Sequence, residues 1–288
     1  MKQSYTAIFE KCRPDLIAIA YQMLGERATA QDLVQDTWEI WNKADKGVIK
    51  VHCAWLKRVI SRLAIDALRS ARVRRETYVG PWLPEPLVDE IHNELEDSFT
   101  LARECELALL WAMERLSIEQ RSAFILVKVF DADYAEISEL LGKSESACRK
   151  IVSRAAKNIA QTKLRFNANP EDTAVMLQKF AQACTSMNHD EVLSLLAPDV
   201  ISMSDGGGRV RAALRPLIGA SEVCRVLLSV MQKNTSDTAG ELVIVNGQPA
   251  IAVAGAGDQN MLLTIALGVD GHIAWIYIMR NPDKLHFM

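Results

Sequence analysis

The sequence predicts a multidomain chain, two all-α domains followed by an α+β domain, and three observations carry that expectation. Apolar residues recur at helical spacing from the N-terminus to about residue 166. Beyond residue 240 the spacing becomes that of strands, punctuated by Asn246-Gly247 and Asp270-Gly271, strong hairpin signals. Between the helical stretches lies Trp82-Leu83-Pro84-Glu85-Pro86, whose two prolines fix φ and remove donors, so no helix runs through it. With 288 residues, 49% apolar and 24% charged, the chain can bury two or three cores and is neither fibrous nor disordered. The expected parts are 1–80, a link at 81–97, then 98–166 and 170–288.

In the first part, Val34, Trp38 and Trp41 form one stripe of a helix, and Asp32, Gln35, Asp36 and Glu39 another, so carboxylates face out while aromatics pack in. A second helix begins near Val51, with Leu56, Ile60, Leu63 and Ala67 on its apolar side. Arg58, Arg62, Arg69 and Arg72 share another side, with Asp66 spaced to pair with Arg62 and Arg69.

The net charge of −3 conceals a segregation. Residues 1–80 carry +5, 81–97 carry −6, 98–166 carry +2 and 167–288 carry −4. The basic residues concentrate in Lys50–Arg75 and Lys143–Arg165, and the acidic ones in the link, at Glu85, Asp89, Glu90, Glu94, Glu96 and Asp97. Positive charge at this density attracts a phosphate backbone by counterion release.

In the second helical part, Ser117-Ile118-Glu119-Gln120 is a capping box opening a helix through Val129. Asp133 caps the next, Gly142 stops it and Ser144 caps a third, which is the helix-turn-helix pattern. Cys148, Val152, Ala155 and Ile159 should face the core, leaving Ser146, Arg149, Lys150, Ser153 and Lys157 outward, as a major-groove helix requires.

Ala30-Gln31-Asp32-Leu33-Val34-Gln35-Asp36-Thr37-Trp38 resembles the core-polymerase-binding helix of bacterial sigma factors. Ala54-Trp55-Leu56-Lys57-Arg58-Val59-Ile60, followed by Leu63-Ala64-Ile65-Asp66-Ala67-Leu68-Arg69, resembles the helix that reads the minus-ten element, in the compact extracytoplasmic-function class. The resemblance implies that Asp32, Gln35, Asp36 and Glu39 face bacterial core RNA polymerase. It implies that Trp55, Lys57, Arg58, Arg62, Arg69 and Arg72, with the loop Lys43–His52, grip melted promoter DNA, although Trp55 also reads as a core residue. It gives minus-thirty-five contacts to Ser144, Ser146, Arg149, Lys150 and Arg154, and threads the acidic link toward the RNA exit path.

Members of this class normally end near Arg165, and here a third part follows the hinge Asn167–Pro170. A helix with Met176, Phe180, Cys184 and Met187 at helical spacing, helical turns at 191–196 and 221–231, and an antiparallel meander suggest an α+β cone resembling the SnoaL-like branch of the NTF2-like fold. Asp199, Asp205, His189 and Tyr277 are the candidates for acid–base chemistry, and they form no recognisable constellation. Asp205-Gly206-Gly207-Gly208 reads as a tight turn rather than a phosphate loop, with Asp205 free to bond backbone or a docked segment.

Trp82, Pro84, Glu85 and Pro86 of the link, the Asp205–Gly208 turn, and Asn281-Pro282-Asp283-Lys284-Leu285 together resemble the sigma subgroup with a fused SnoaL-like regulator. That resemblance implies cis-regulation through contacts among the three strings. The chain continues three residues past Leu285, so the tail's reach should be short.

A non-enzymatic sigma factor without cofactor or metal is therefore expected, monomeric and binding polymerase and promoter DNA. The alternatives are a one-component sensor with a small ligand in the cone, and a cyclase or isomerase with a DNA-binding appendage. No secretory or membrane signature stands in the sequence. The six cysteines have no CxxC spacing and read as inert, mostly buried thiols in a reducing cytoplasm.

Overall fold

The computed structural model describes residues 5–88, 99–162, 164, 169–233, 240–255 and 260–286. Asp89, Glu90, Glu94, Glu96 and Asp97 of the acidic link, and Lys163, Arg165, Asn167 and Ala168, lie outside the described residues. The chain divides into two compact units, Met1–Glu76 with Ile91–Cys105 and Leu110–Gln161, and Thr77–Glu90 with Glu106–Leu109 and Thr162–Met288.

The first unit begins with α1 (Tyr5–Leu24), α2 (Arg27–Lys43) and α3 (His52–Glu76). Every residue of α1 from Leu16 to Leu24 is buried, because α2 and α3 both pack against it. On α3, Leu56 and Ile60 of the expected apolar side are buried together with Ala64, Ile65 and Leu68, while Leu63 and Ala67 are half-buried. Then follow α4 (Thr100–Arg103), α5 (Leu107–Glu114), α6 (Ile118–Lys128), α7 (Tyr134–Leu141) and α8 (Glu145–Ala160). The predicted caps form. Ser117 and Gln120 satisfy each other's backbone N–H groups at 3.2 and 3.1 Å. Asp133 accepts from the Glu136 amide at 2.8 Å, and Gly142 takes the left-handed φ of 64° that ends α7. Cys148, Val152, Ala155 and Ile159 are the buried stripe of α8.

α6 and α7 pack against α1 and α3 within this unit. At their junction Arg121, only 2% exposed, donates to the Gln22 carbonyl at 2.9 Å and to Glu114. Glu114 also accepts from Arg75, whose other terminal nitrogen donates to the Leu24 carbonyl.

The second unit carries α9 (Pro170–Thr185), α10 (His189–Leu195), β1 (Leu196–Asp205), β2 (Leu217–Ile218), α11 (Ala220–Lys233), β3 (Glu241–Val245), β4 (Gln248–Val253), β5 (Met261–Leu267), β6 (Ile273–Met279) and a 3₁₀ turn, Pro282–Lys284. The sheet order is β2-β1-β6-β5-β4-β3. Its core joins Leu177 and Phe180 of α9, Val192 of α10, Val223 of α11, and Ile265 and Ile276 of the sheet. Each such buried side chain contributes about 1.5–3 kcal/mol of transfer free energy. This is the α+β architecture expected of the third part.

Three expectations are corrected. The sheet is not a pure antiparallel meander, because β1 runs parallel to β6. The sequence Leu196–Asp205 hid that strand, since Pro198 and Asp199 interrupt its alternation. Met187 lies beyond α9, 41% exposed with φ 55°, and does not extend the apolar stripe. The cysteines are not all free thiols. Cys12 and Cys53 form a disulfide, their Cα atoms 5.8 Å apart, because α1 and α3 bring together residues 41 apart in sequence. Cys105, Cys148, Cys184 and Cys224 are buried outside any disulfide, and burial pushes the Cys184 thiol up to about 12.

Candidate functional site

In the first unit Asp32, Gln35, Asp36 and Glu39 are all exposed along one side of α2, with Leu33, Val34, Thr37 and Trp41 buried behind them. On α3, Arg58, Arg62, Arg69 and Arg72 are exposed and Lys57 is half-buried. Asp66 holds Arg69 at 2.6 Å. Lys57 pairs with Asp15 at 2.5 Å and lies over the Phe130 ring, while Arg58 pairs with Glu139 at 2.9 Å. Trp55 is half-buried, its ring 5.6 Å from that of Trp41, in a cluster that includes Tyr5 and His52. Trp55 thus packs against the aromatic cluster, as the core reading expected, and is not fully buried.

The α8 surface is open. Ser144, Ser146, Arg149, Lys150 and Arg154 are all exposed. Ser144 accepts from the Ala147 amide as the cap and lies 3.1 Å from the Ser146 hydroxyl. Arg149 is held by Glu145 at 3.0 Å and by the Tyr134 ring at 4.7 Å, so its guanidinium is oriented before any ligand arrives.

In the second unit the three singled-out strings meet. Asp205, at the end of β1, is fully buried. Its Oδ1 accepts from the Tyr78 hydroxyl at 2.6 Å and the Gly207 amide at 2.9 Å. Its Oδ2 accepts from the Leu83 amide at 3.0 Å and the Lys284 ammonium at 2.8 Å. Lys284 also donates to the Leu83 carbonyl at 2.6 Å and sits 4.3 Å from the Trp82 ring centre. Burial, and then the hydrogen bond to Asp205, hold the Tyr78 hydroxyl well above its usual range, so it remains a donor.

The glycine turn is required by this packing. Gly207 has φ 61°, and a Cβ there would stand 2.5 Å from the Asn281 side chain. Asn281 in turn donates to the Tyr78 hydroxyl at 2.9 Å, while the Arg280 and Asn281 amides donate to the Asp205 carbonyl at 2.8 and 2.9 Å. Arg209, just beyond the turn, pairs with Asp283 at 3.0 Å, and Leu285 is buried. Pro282 is exposed at the first position of the 3₁₀ turn.

Pro84, Glu85 and Pro86 are buried along the same groove. The Tyr277 hydroxyl donates to the Pro84 carbonyl at 2.8 Å. Asn246 makes a reciprocal pair with Leu87, its Oδ1 accepting from the Leu87 amide and its own amide donating to the Leu87 carbonyl, both at 2.9 Å. Val88 then bridges Val245 and covers the edge of β3.

Sequence reasoning missed Tyr78 and Asn246. Asn246 was visible as a hairpin residue, with φ 50°, but nothing local announced that its side chain would hold a segment 159 residues away. The acid–base candidates are dispersed. Tyr277 is bonded to the link and Asp205 is saturated with donors. His189 opens α10, and Asp199 lies exposed on β1. Among the described residues no group of His, Cys, Asp and Glu could hold a metal ion, and no helix is long and apolar enough to cross a membrane.

Comparison with known proteins matches the Sigma-70 region 2 family over residues 8–74 and the Sigma-70, region 4 family over residues 106–159. The ECF RNA polymerase sigma factor SigJ of Mycobacterium tuberculosis is 34% identical over 286 residues, covering 96% of this chain and 91% of that protein. The probable ECF RNA polymerase sigma factor SigI of the same species is 30% identical, covering 97% and 94%. The crystal structure of M. tuberculosis SigJ aligns with a TM-score of 0.76 at 32% identity, over 97% of each chain. Both sigma-70 regions thus lie in order along the chain, and the similarity continues through the α+β domain. The chain belongs to the extracytoplasmic-function family of RNA polymerase sigma factors.

Proposed function

We propose that the α+β domain regulates this sigma factor in cis, by gripping the link between its two DNA-reading regions. The activity so regulated is that of the family, directing bacterial core RNA polymerase to promoters for initiation. The observation that carries the reading is Asp205. A fully buried carboxylate takes two donors from residues 78–83, one from its own glycine turn and one from the tail residue Lys284. A buried charge without such partners would cost several kcal/mol, so link, turn and tail stabilise one another as a set.

In this reading Asp32, Gln35, Asp36 and Glu39 meet core polymerase. Trp55, Lys57, Arg58, Arg62, Arg69 and Arg72 hold the melted minus-ten strand, and Ser144, Ser146, Arg149, Lys150 and Arg154 read the minus-thirty-five duplex. The division is 1–80, 81–97, 98–166 and 170–288, and the protein works as a monomer beside the polymerase in the cytoplasm. It is not an enzyme: the Tyr277 hydroxyl, which a cyclase-like reaction would need inside the cone, is spent on Pro84.

Run-off transcription with core polymerase tests the proposal. Full-length protein, a chain ending at Arg280, a chain ending at residue 166, and full-length Lys284→Met are compared. Different transcript yields are expected, and equal yields from all four overturn cis-regulation. Ligand-dependent melting of the full chain would favour the sensor reading instead.

A further inference from the structure

We propose that Cys12 and Cys53 are a reversible peroxide-responsive dithiol pair, whose oxidation tethers α1 to the start of the minus-ten helix. Of the six cysteines, these two alone form a disulfide. Structural disulfides are rare in the reducing compartment where a sigma factor meets polymerase, and those found there are mostly transient and redox-sensing. The placement suits that role. Cys53 is half-buried, in the first turn of a 25-residue helix, where backbone N–H groups and the helix dipole favour a thiolate. Cys12 is 2% exposed and lies directly behind it.

The chemistry needs one equivalent of hydrogen peroxide. The Cys53 thiolate attacks one peroxide oxygen, the O–O bond breaks and hydroxide leaves, giving a sulfenic acid. The Cys12 sulfur then attacks the Cys53 sulfur, the S–O bond breaks, and water leaves with the remaining proton. Two thiols and one peroxide thus become one disulfide and two waters. A thioredoxin- or glutathione-class thiol reverses the step by exchange.

The bond occludes neither DNA nor polymerase. Arg58, Arg62, Arg69 and Arg72 remain exposed on α3, as do Asp32, Gln35, Asp36 and Glu39 on α2. What it fixes is the far end of the segment 44–51, where Val48 and Val51 are 75% and 63% exposed. Capturing melted DNA would immobilise the exposed side chains of that segment. Anchoring one end beforehand removes part of the ordering cost, so the oxidised form should be the more active one, by about threefold. The effect on transcription rests on the sigma-factor reading; the bond chemistry does not.

The test uses the full-length protein, reduced and then treated with stoichiometric hydrogen peroxide. Peptide mapping should find a Cys12–Cys53 cross-link that dithiothreitol removes. Run-off transcription should rise about threefold on oxidation in wild type and in Cys105→Ser, but not in Cys53→Ser. In Cys12→Ser, dimedone should label Cys53, which keeps the assignment testable should Cys53→Ser fold poorly. Absence of the cross-link, a cross-link that leaves transcription unchanged, or no dimedone adduct on Cys53 would each overturn the proposal. Loss of transcription in both redox states, with the cross-link intact, would instead count against the sigma reading.

Discussion

Removing the Lys284 ammonium should open the link without unfolding the α+β domain. Lys284→Met keeps a flexible apolar stem but deletes the ammonium, with its hydrogen bonds to Asp205 at 2.8 Å and to the Leu83 carbonyl at 2.6 Å and its cation–π contacts over the Trp82 and Tyr78 rings. Breaking one side of a buried ion pair costs about 3–5 kcal/mol. Here the low end applies, about 3 kcal/mol, because Asp205 keeps the Tyr78 hydroxyl and the Leu83 and Gly207 amides as donors. Asp205→Asn is slightly worse, about 3–4 kcal/mol, since its amide nitrogen would point at donors and leave Lys284 buried without its counter-ion. The double variant removes both charges and loses only neutral hydrogen bonds, so it should cost about 3–4 kcal/mol rather than the sum. At 1.4 kcal/mol per decade, either single change speeds local opening about a hundredfold. Hydrogen exchange of a peptide spanning residues 78–88 measures that directly, and a two-unit chain is better followed locally than by one melting point. Additive single effects within about 0.5 kcal/mol, or unchanged exchange in that peptide, would refute the linked-charge argument.

Asn246→Gly keeps the left-handed turn and deletes the side-chain hydrogen bond to the Leu87 amide. It should cost about 1–2 kcal/mol and show as faster exchange at Leu87 with the β3–β4 hairpin intact by nuclear magnetic resonance. Gly207→Ala, at φ 61°, should displace Asn281 and raise protease cleavage after Arg280 in timed digests. Arg154→Ala on the exposed face of α8 should weaken promoter binding. If its partner is a phosphate, the loss is uniform across sequences and the salt slope falls by about one, as filter binding at several salt concentrations would read; a base contact would instead relax specificity. Asp36→Lys should reduce co-elution with core polymerase while leaving α2 helical by circular dichroism, since Asp36 is exposed.

What the sequence made legible follows the range of the interaction. The caps at Ser117, Asp133 and Ser144 and the left-handed stop at Gly142 form within a few residues of their partners, and each appeared where expected. The Asn246-Gly247 turn was legible for the same reason. The parallel pairing of β1 with β6 was not, because its partners lie more than seventy residues apart and Pro198 and Asp199 mask the strand. The Cys12–Cys53 bond and the Asn246–Leu87 pair were equally invisible to local reading. Asp205 is the intermediate case. Residue chemistry alone predicted a tight turn with a carboxylate free to bond something, and only the resemblance of three distant strings suggested what that something was.

The packing inside the first unit adds a constraint on how initiation can proceed. Elements ten and thirty-five bases upstream lie about 25 base pairs apart, which at 3.4 Å per step is roughly 85 Å of duplex. A compact unit of this size has a radius of gyration of about 15 Å, so if α3 and α8 read the two elements as proposed, they cannot reach both while they remain in one body. The contacts that must break differ in strength. Arg58–Glu139 is largely exposed, worth at most about 1 kcal/mol, and a DNA phosphate can displace that carboxylate directly. The Arg121 junction is another matter: its guanidinium is buried, and Glu114 is shared with Arg75. Separating it takes Arg121 from the Gln22 carbonyl and Arg75 from Glu114, leaving buried charges short of partners that DNA does not replace. If core polymerase docks on the exposed acidic side of α2, as proposed above, it is the partner placed to supply that energy. Polymerase binding should therefore precede stable recognition of both elements, with the grip on the link deciding how readily the two regions part.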